Sequence, residues 1–450
     1  MRLHEAAAAI GAVAIGADVE FTAVSTDSRN IPPGALFIAL RGERFDGHKF
    51  AAQAMEQGAS AVVVEASAGL DIAPALVVED SRLALGRLAA WHRRRMPAKL
   101  LAITGSNGKT TVKEMVAAIV VAHAGPEAVL ATTGNLNNDI GMPLTLLRLA
   151  PSHQFAVIEM GMNHPGELDY LSRLAQPDVA LVNNALRAHL EGLGSVAAVA
   201  RAKGEIYIGL KADGIALYNA DDANAGIWET LAQGHRHLGF GLTHGEFHAA
   251  CRLREFGADL TLHTPEGATE ISLRLPGEHN ARNAVAAAAA AQVLGIPLDA
   301  IARGLAGFDG VKGRLQNHAC ILGARLIDDT YNANPDSVAA AIQVLAAQPG
   351  QRILVLGDMG ELGPDAGELH AEIGTRARQA GIERLLCLGE MSHHAADAFG
   401  ARAMHFERIE ELLAEIENAL APDVTVLVKG SRFMKMERVV NSLQETQTCS

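Results

Sequence analysis

Aromatic residues make up only 4% of this 450-residue chain, and its four cysteines, Cys251, Cys320, Cys387 and Cys449, include no Cys-x-x-Cys spacing. Thiols scattered in this way supply neither a zinc site nor a disulfide framework, so a reducing cytoplasm is the expected setting. Long apolar runs are missing as well. The longest alanine-rich stretch, residues 284–296, is too short and too weakly hydrophobic to cross a bilayer, and no basic segment followed by an apolar core opens the chain. A soluble protein is expected. Positive charge is scarce: Lys and Arg total 38 against 51 Asp and Glu, a formal net charge of −13. That balance excludes general binding to nucleic acid or to an anionic membrane surface, so an anionic ligand has to be met by a local pocket. Short repeats, low-complexity tracts, long linkers and coiled-coil heptads are absent too. Brief connections between domains and a monomer are expected.

What the chain does have is apolar content, 49%, with abundant alanine, enough for several cores; its length favours about three domains. Residues 1–80 read as a small α/β unit, with strands near 35–40 and 61–64 around a helix near 48–57. Residues 81–313 alternate strands and helices, which predicts a mainly parallel sheet with ligands at the carboxyl ends of its strands. Within them, 214–275 is less regular and reads as an antiparallel addition. Residues 314–450 repeat the alternation, with strands near 352–356, 385–388 and 424–428, as a second nucleotide-fold-like unit.

The most informative segment is Ile103-Thr104-Gly105-Ser106-Asn107-Gly108-Lys109-Thr110-Thr111. It follows an apolar strand, 100–103, and opens a helix whose Val112, Met115, Val116, Ile119 and Val120 share one face, leaving Lys113 and Glu114 on the wet side. Glycines let backbone N–H groups converge on phosphate oxygens, and the helix N-terminus adds partial positive charge. Lys109 reaches terminal phosphates, and the Thr110 hydroxyl suits Mg²⁺. Bound ATP is the natural reading. The pattern departs from G-x-x-x-x-G-K-[ST], since Ile103 stands where the first glycine belongs and Gly105 comes two residues later.

Other strand ends converge on the same place. Glu159 ends an apolar strand, 155–158, where a carboxylate can hold Mg²⁺ opposite the loop hydroxyl. A third strand, 179–182, leads through Asn183 and Asn184 to His189 in a glycine-flanked loop, ordinarily the place of a solvent-facing histidine. Lys203 lies on a helix capped by Ser195, where a lysine is usually a solvated charge. Asn280 and Asn283 share a helical face and can pair with a purine edge, although capping and packing explain them equally. Arg314 and Asp329, at the start of the last unit, can reach a phosphate and a ribose or can simply mark a domain junction. The turn 25–29, with Ser28 and Arg29, can hold a phosphate or a nucleotide sugar.

Taken in order, Thr26-Asp-Ser-Arg29, Asp46-Gly-His48, the loop 104–111 with Val112-Lys-Glu-Met115, Asn135-Leu-Asn-Asn138, Ile140-Gly-Met-Pro143, Glu159-Met-Gly-Met162, Ala188-His-Leu-Glu191, Ala202-Lys-Gly-Glu205, 277–283 and 329–335 resemble the Mur ligase family over nearly the whole chain. The shortened phosphate loop is the form that family uses. Leu186-Arg187 is bulkier than the matching place in many relatives, which bears on the shape of that loop.

The resemblance implies an α/β fold of three domains: a UDP-sugar domain, a central ATP domain with a P-loop ATPase-like parallel sheet, and a Rossmann-like C-terminal domain that closes over the site and binds the amine. It implies that Gly105, Ser106, Asn107, Gly108, Lys109, Thr110 and Thr111 bind ATP phosphates, with Asn280 and Asn283 on adenine, Arg314 on phosphates and Asp329 on ribose. Two Mg²⁺ ions are implied, one on Thr110 and Glu159, the other on Glu159, His189 and a carbamylated Lys203. Ser28 and Arg29 would serve the uridine nucleotide. Asn332, Asn334, Asp358, Lys429, Ser431 and Arg432 are candidates for the amine pocket.

The activity implied is amide-bond formation in peptidoglycan precursor synthesis, joining D-alanyl-D-alanine to UDP-N-acetylmuramoyl-tripeptide through an acyl phosphate. Tyr331-Asn-Ala-Asn334 and Val112-Lys-Glu-Met115 favour this dipeptide-adding reaction over a third-residue-adding sister ligase or a folylpolyglutamate synthase. A P-loop kinase or a nonenzymatic nucleotide switch is the reading from another class.

Overall fold

The computed structural model describes residues 1–43 and 45–445, so Cys449 lies outside the described residues. Among the described residues the strands form four sheets. The first has the order Val13–Ile15, Ala75–Val78, Ala61–Glu65, Ala35–Ile38, Ala23–Ser25 and is parallel except for Val13–Ile15. Its central strands are apolar without alternation because both faces are covered. Leu36, Ile38 and Val63 pack on one side, and Phe37, Val62 and Val64 on the other. The helix expected near 48–57 forms as a turn, Gly47–Phe50, followed by Ala51–Glu56, and Asp46 caps it by accepting the His48 N–H.

Helix Ser81–Arg93, capped by Asp80, leads into the second sheet. Its order is Arg236–Phe240, Ile215–Asn219, Val179–Val182, Lys99–Thr104, Phe155–Glu159, Val129–Ala131, all parallel. Residues 214–275 therefore divide, and the expectation of a wholly antiparallel addition is corrected. Ile215–Asn219 and Arg236–Phe240, joined through helix Ala225–Leu231, extend the parallel sheet, whereas His248–Arg254, Gly257–Thr264 and Gly267–Leu273 make a separate antiparallel sheet. The reason is length: 215–240 is long enough for a strand–helix–strand crossover, and 248–273 holds only tight turns between strands.

Helix Lys109–Ala124 buries Val112, Met115, Val116, Ile119 and Val120 with the alanine-rich helix Glu278–Val293, whose small side chains allow close approach. Lys113 was expected on the wet side, and the structure corrects this: it is 1% exposed, with Nζ donating to the Thr132 carbonyl at 2.6 Å and paired with Glu114. The helix is covered on more than one face, so the long lysine stem is packed and its head finds a carbonyl instead of water.

The last sheet has the order Gln316–Ala319, Arg325–Asp329, Val424–Lys429, Gln351–Gly357, Arg384–Leu388, Ala403–Phe406, with only the first strand antiparallel. Val338, Ile342, Ile373 and Ala377 cover one face, and Leu412, Ile416, Val439 and Val440 the other. The fold is thus α/β, and strands that are buried on both faces deliver polar residues at their carboxyl ends.

Candidate active site

A cavity of about 1530 Å³ lies where the carboxyl ends of the central and C-terminal parallel sheets face each other. Its walls include Ser106 to Thr111, Glu159, His189, Asn280 and Asn283 from one side and Arg314, Asp329, Asn332, Asn334, Lys429, Ser431 and Arg432 from the other. The loop between strand Lys99–Thr104 and helix Lys109–Ala124 is shaped by asparagines. Asn183 Nδ2 donates to the Asn107 carbonyl and to Asn283 Oδ1, both at 2.9 Å, and Asn184 Oδ1 accepts the Asn107 N–H at 2.9 Å. Gly108 has φ +81°, and a Cβ there would sit 2.5 Å from both Asn183 Nδ2 and Asn283 Oδ1, so glycine is required on steric and conformational grounds. Lys109 Nζ donates to the Gly105 and Ser106 carbonyls at 2.6 and 3.3 Å. Burial lowers its pKa; nearby Glu159 opposes this and Arg314 adds to it.

Ile103 and Glu159 are register partners on adjacent strands. Glu159 is 3% exposed, with Oε2 accepting from Thr110 Oγ1 and Oε1 from Asn137 Nδ2, both at 2.8 Å. Arg314 crosses from the C-terminal side to donate to Thr110 Oγ1 at 2.9 Å, with its guanidinium over the Tyr331 ring. Among the described residues no hydrogen bond or ion pair joins His189 to Glu159. Its Nδ1 is 2.8 Å from Glu361 Oε2, a contact that holds the Glu361 carboxyl below the usual range. Among the described residues no group of three or more His, Cys, Asp or Glu is arranged to hold a metal.

Lys203 lies on helix Val196–Gly204, whose Ser195 cap accepts the Ala198 N–H, but it is not the solvated charge its helical position suggests. It is 1% exposed, among the described residues its Nζ makes no hydrogen bond, and its pKa is pushed well down by burial and then by Lys109. Its low basicity comes from tertiary packing.

Helix Glu278–Val293 begins at the Gly277 cap and so already contains Asn280 and Asn283, and Asn283 Nδ2 bonds Asn280 Oδ1 at 3.4 Å. Asp221, Asp222, His279 and Arg282 line the same end of the cavity. On the C-terminal side, Lys429 Nζ is 2.6 Å from Asp329 Oδ2. Burial raises the Asp329 carboxyl, with Lys429 and Arg314 pulling it back. Asn334 caps helix Pro335–Ala346 and exchanges two hydrogen bonds with the Asn107 amide, at 2.8 and 3.2 Å. Ser431 Oγ accepts the Gly360 N–H and donates to the Ala333 carbonyl.

Three groups of sequence candidates stand apart from this cavity wall. Asp358 Oδ1 accepts the Met391 and Ser392 N–H groups, at 3.1 and 2.8 Å, so its carboxylate holds a neighbouring loop. Lys203 is also outside the lining, as are Ser28 and Arg29 in the N-terminal domain. Arg29 forks onto Asp27 through two 2.8 Å bonds and is 88% exposed, which lowers the Asp27 carboxyl to about 2.

Sequence reasoning gave no role to Asn137, Asn183, Glu361 or the Arg82–Asp139 pair, all of which line the cavity. Asn183 and Glu361 follow parallel strands, so the strand-end rule was the available signal. Asn137 and the pair needed the tertiary structure.

The residues fit a nucleoside triphosphate. Asn183 Oδ1 and Arg314 Nε are buried polar atoms without partners among the described residues, and a lysine, a threonine and a carboxylate converge. They also offer hard oxygen ligands for Mg²⁺ in Thr110 and Glu159.

Comparison with known proteins follows the same division. Residues 20–108 match the Mur ligase family catalytic domain, 103–291 the Mur ligase middle domain, and 313–432 the Mur ligase glutamate ligase domain. The UDP-N-acetylmuramoyl-tripeptide--D-alanyl-D-alanine ligase of Escherichia coli K12 is 47% identical over 439 residues, 96% of each chain. A crystal structure of MurF from Acinetobacter baumannii superposes with a TM-score of 0.90 at 37% identity, covering 98% of this chain and 97% of that one. MurF from Thermotoga maritima, solved in complex with ADP, gives 0.83 at 26% identity over 93% and 96% of the two chains. With its three domains matched in order and a relative this similar along nearly its full length, the chain belongs to the Mur ligase family.

Proposed function

We propose that this enzyme uses ATP to join D-alanyl-D-alanine to UDP-N-acetylmuramoyl-tripeptide, a step of peptidoglycan precursor synthesis. The observation that carries the reading is a phosphate loop touched by its partner domain, through Arg314 on Thr110 and Asn334 on Asn107. A kinase would phosphorylate and stop, whereas a ligase must also seat an amine beside the activated carboxyl group. The full-length relatives named for this reaction support the same substrates.

In this reading Gly105 to Thr111 bind the phosphates, Asn280 and Asn283 the adenine, Arg314 the phosphates and Asp329 the ribose. Thr110 and Glu159 would hold one Mg²⁺, and Glu159, His189 and a carbamylated Lys203 a second; bound metal would neutralise phosphate charge. Lys203 suits carbamylation because CO₂ reacts with the neutral form of an amine, and burial shifts this lysine towards that form by lowering its pKa.

The tripeptide carboxylate attacks the terminal phosphorus and releases ADP. The amine then attacks the acyl phosphate and releases phosphate. Lys109 stabilises charge on the transferring group, and the facing domains exclude the water that would hydrolyse the acyl phosphate.

Ser28 and Arg29 are assigned to the uridine end. Asn332, Asn334, Lys429, Ser431 and Arg432, which line the cavity, are assigned with Asp358 to the amine pocket. The domains span 1–80, 81–313 and 314–450. Among the described residues no helix is long and apolar enough to cross a membrane, and we assign a monomeric cytoplasmic enzyme. Mixing ATP, Mg²⁺, UDP-N-acetylmuramoyl-tripeptide and D-alanyl-D-alanine should give amide product by mass, together with ADP. ADP without amide, or phosphorylated tripeptide as the end product, would refute the assignment.

A further inference from the structure

Arg187 has no part in the chemistry just described, yet it is tied to both sides of the site. It follows Leu186, whose N–H donates to Ser106 Oγ at 2.9 Å while that hydroxyl donates to the Leu186 carbonyl at 3.3 Å, and it precedes His189 by two residues. This segment therefore buttresses the phosphate loop.

The Arg187 side chain reaches into the C-terminal domain. Nε and Nη2 donate to Asp336 Oδ1 at 3.1 and 2.8 Å, Nη1 and Nη2 donate to Glu372 Oε2 and Oε1 at 2.7 and 3.2 Å, and the backbone N–H donates to Asp336 Oδ2 at 2.8 Å. The three side chains are 23%, 25% and 31% exposed, so the pairs are only partly screened by water.

Asp336 and Glu372 belong to different helices, Pro335–Ala346 and Ala366–Gln379, and a planar guanidinium presents paired N–H groups to both carboxylates at once, a fork that a single ammonium nitrogen lacks. Asp336 sits in the first turn of the helix capped by Asn334, the residue that pairs with Asn107.

We infer that Arg187 is a positioning residue: by gripping Asp336 and Glu372 it couples the seating of the C-terminal domain to the shape of the segment that braces Ser106 and carries His189. The amine pocket and the phosphate pocket are then assembled in one event. This rests on the ligase reading above.

Arg187→Ala is expected to raise the amine KM by roughly tenfold, between the effects of an exposed and a desolvated ion pair, and to release more ADP than amide as water reaches the acyl phosphate. Arg187→Lys should recover only part of this. Glu372→Gln, made in the opposite domain, should repeat the defect more weakly and should not add to Arg187→Ala. In small-angle X-ray scattering the ligand-free Arg187→Ala protein should be more extended than wild type.

An unchanged amine KM with one ADP per amide, additive losses in the double variant, or superimposable scattering profiles would each overturn the inference. Failure of the wild-type enzyme to form any amide would instead overturn the ligase reading, and the scattering comparison does not depend on that outcome.

Discussion

Asp329 and Lys429 are register partners at the carboxyl ends of two adjacent parallel strands, and their charged atoms meet at 2.6 Å with only 13% and 3% of the side chains exposed. Lys429 Nζ also donates to the Asn332 carbonyl at 2.9 Å, so the pair holds the cavity-lining segment after Asp329. Lys429→Met leaves a carboxylate buried without its partner, and a loss of about 3–5 kcal/mol in unfolding free energy is expected. Asp329→Leu combined with Lys429→Met should recover much of that stability while remaining inactive. Urea titrations of the single and double variants test this, and strictly additive losses would show that the two groups are not coupled.

Lys109 is the one cation whose stem starts in the phosphate loop itself, with its head over the Gly105 and Ser106 carbonyls. Lys109→Ala should lower the rate of ADP release with both peptide substrates present by on the order of a hundredfold or more, since one preorganised charge on a transferring phosphoryl group is worth that much. Turnover near the wild-type rate would remove Lys109 from the reaction.

Lys203 is buried, and that burial lowers its pKa. Lys203→Ala should be inactive and partly restored by a short carboxylic acid, which replaces the oxygen ligands of a carbamate. Unchanged activity, with no response to the acid, would argue against carbamylation.

His279 lines the cavity beside Asn280, and burial lowers its pKa from 6.5 to about 4, helped by Lys429 and Arg282. Between those two values the unfolded chain binds the proton that the folded chain refuses, so folding stability should fall as pH drops from 6.5 towards 4. Above 6.5 this residue contributes no slope. His279→Gln should flatten the acid side of a plot of unfolding free energy against pH; an identical slope in both proteins would assign it to other groups.

The phosphate loop was legible because its signals are local: an apolar strand, glycines at two positions, a lysine and a threonine at the start of a helix. Glu159 and His189 could be found by the same logic, since parallel strands place their following residues at one edge of the sheet. Lys113 was misread because a helical periodicity shows one buried face and says nothing of a second. Ile215–Asn219 and Arg236–Phe240 were misplaced because parallel pairing joins segments whose partners lie far away in the chain. For Asp358 the resemblance implied a place at the amine pocket, and only the tertiary structure shows its carboxylate accepting the Met391 and Ser392 N–H groups.

By itself the chain order determined an α/β protein with a nucleotide-binding loop at a strand end and a second nucleotide-fold-like unit behind it, because backbone geometry and side-chain period are written within a few residues of each other. The tertiary structure alone decided that Lys203 is desolvated, that Glu159 is shared by Thr110 and Asn137, that His189 faces Glu361, and that Arg187 joins two domains. Burial, charge pairing and pKa depend on which distant residues arrive at the same point, and that is a property of the folded chain.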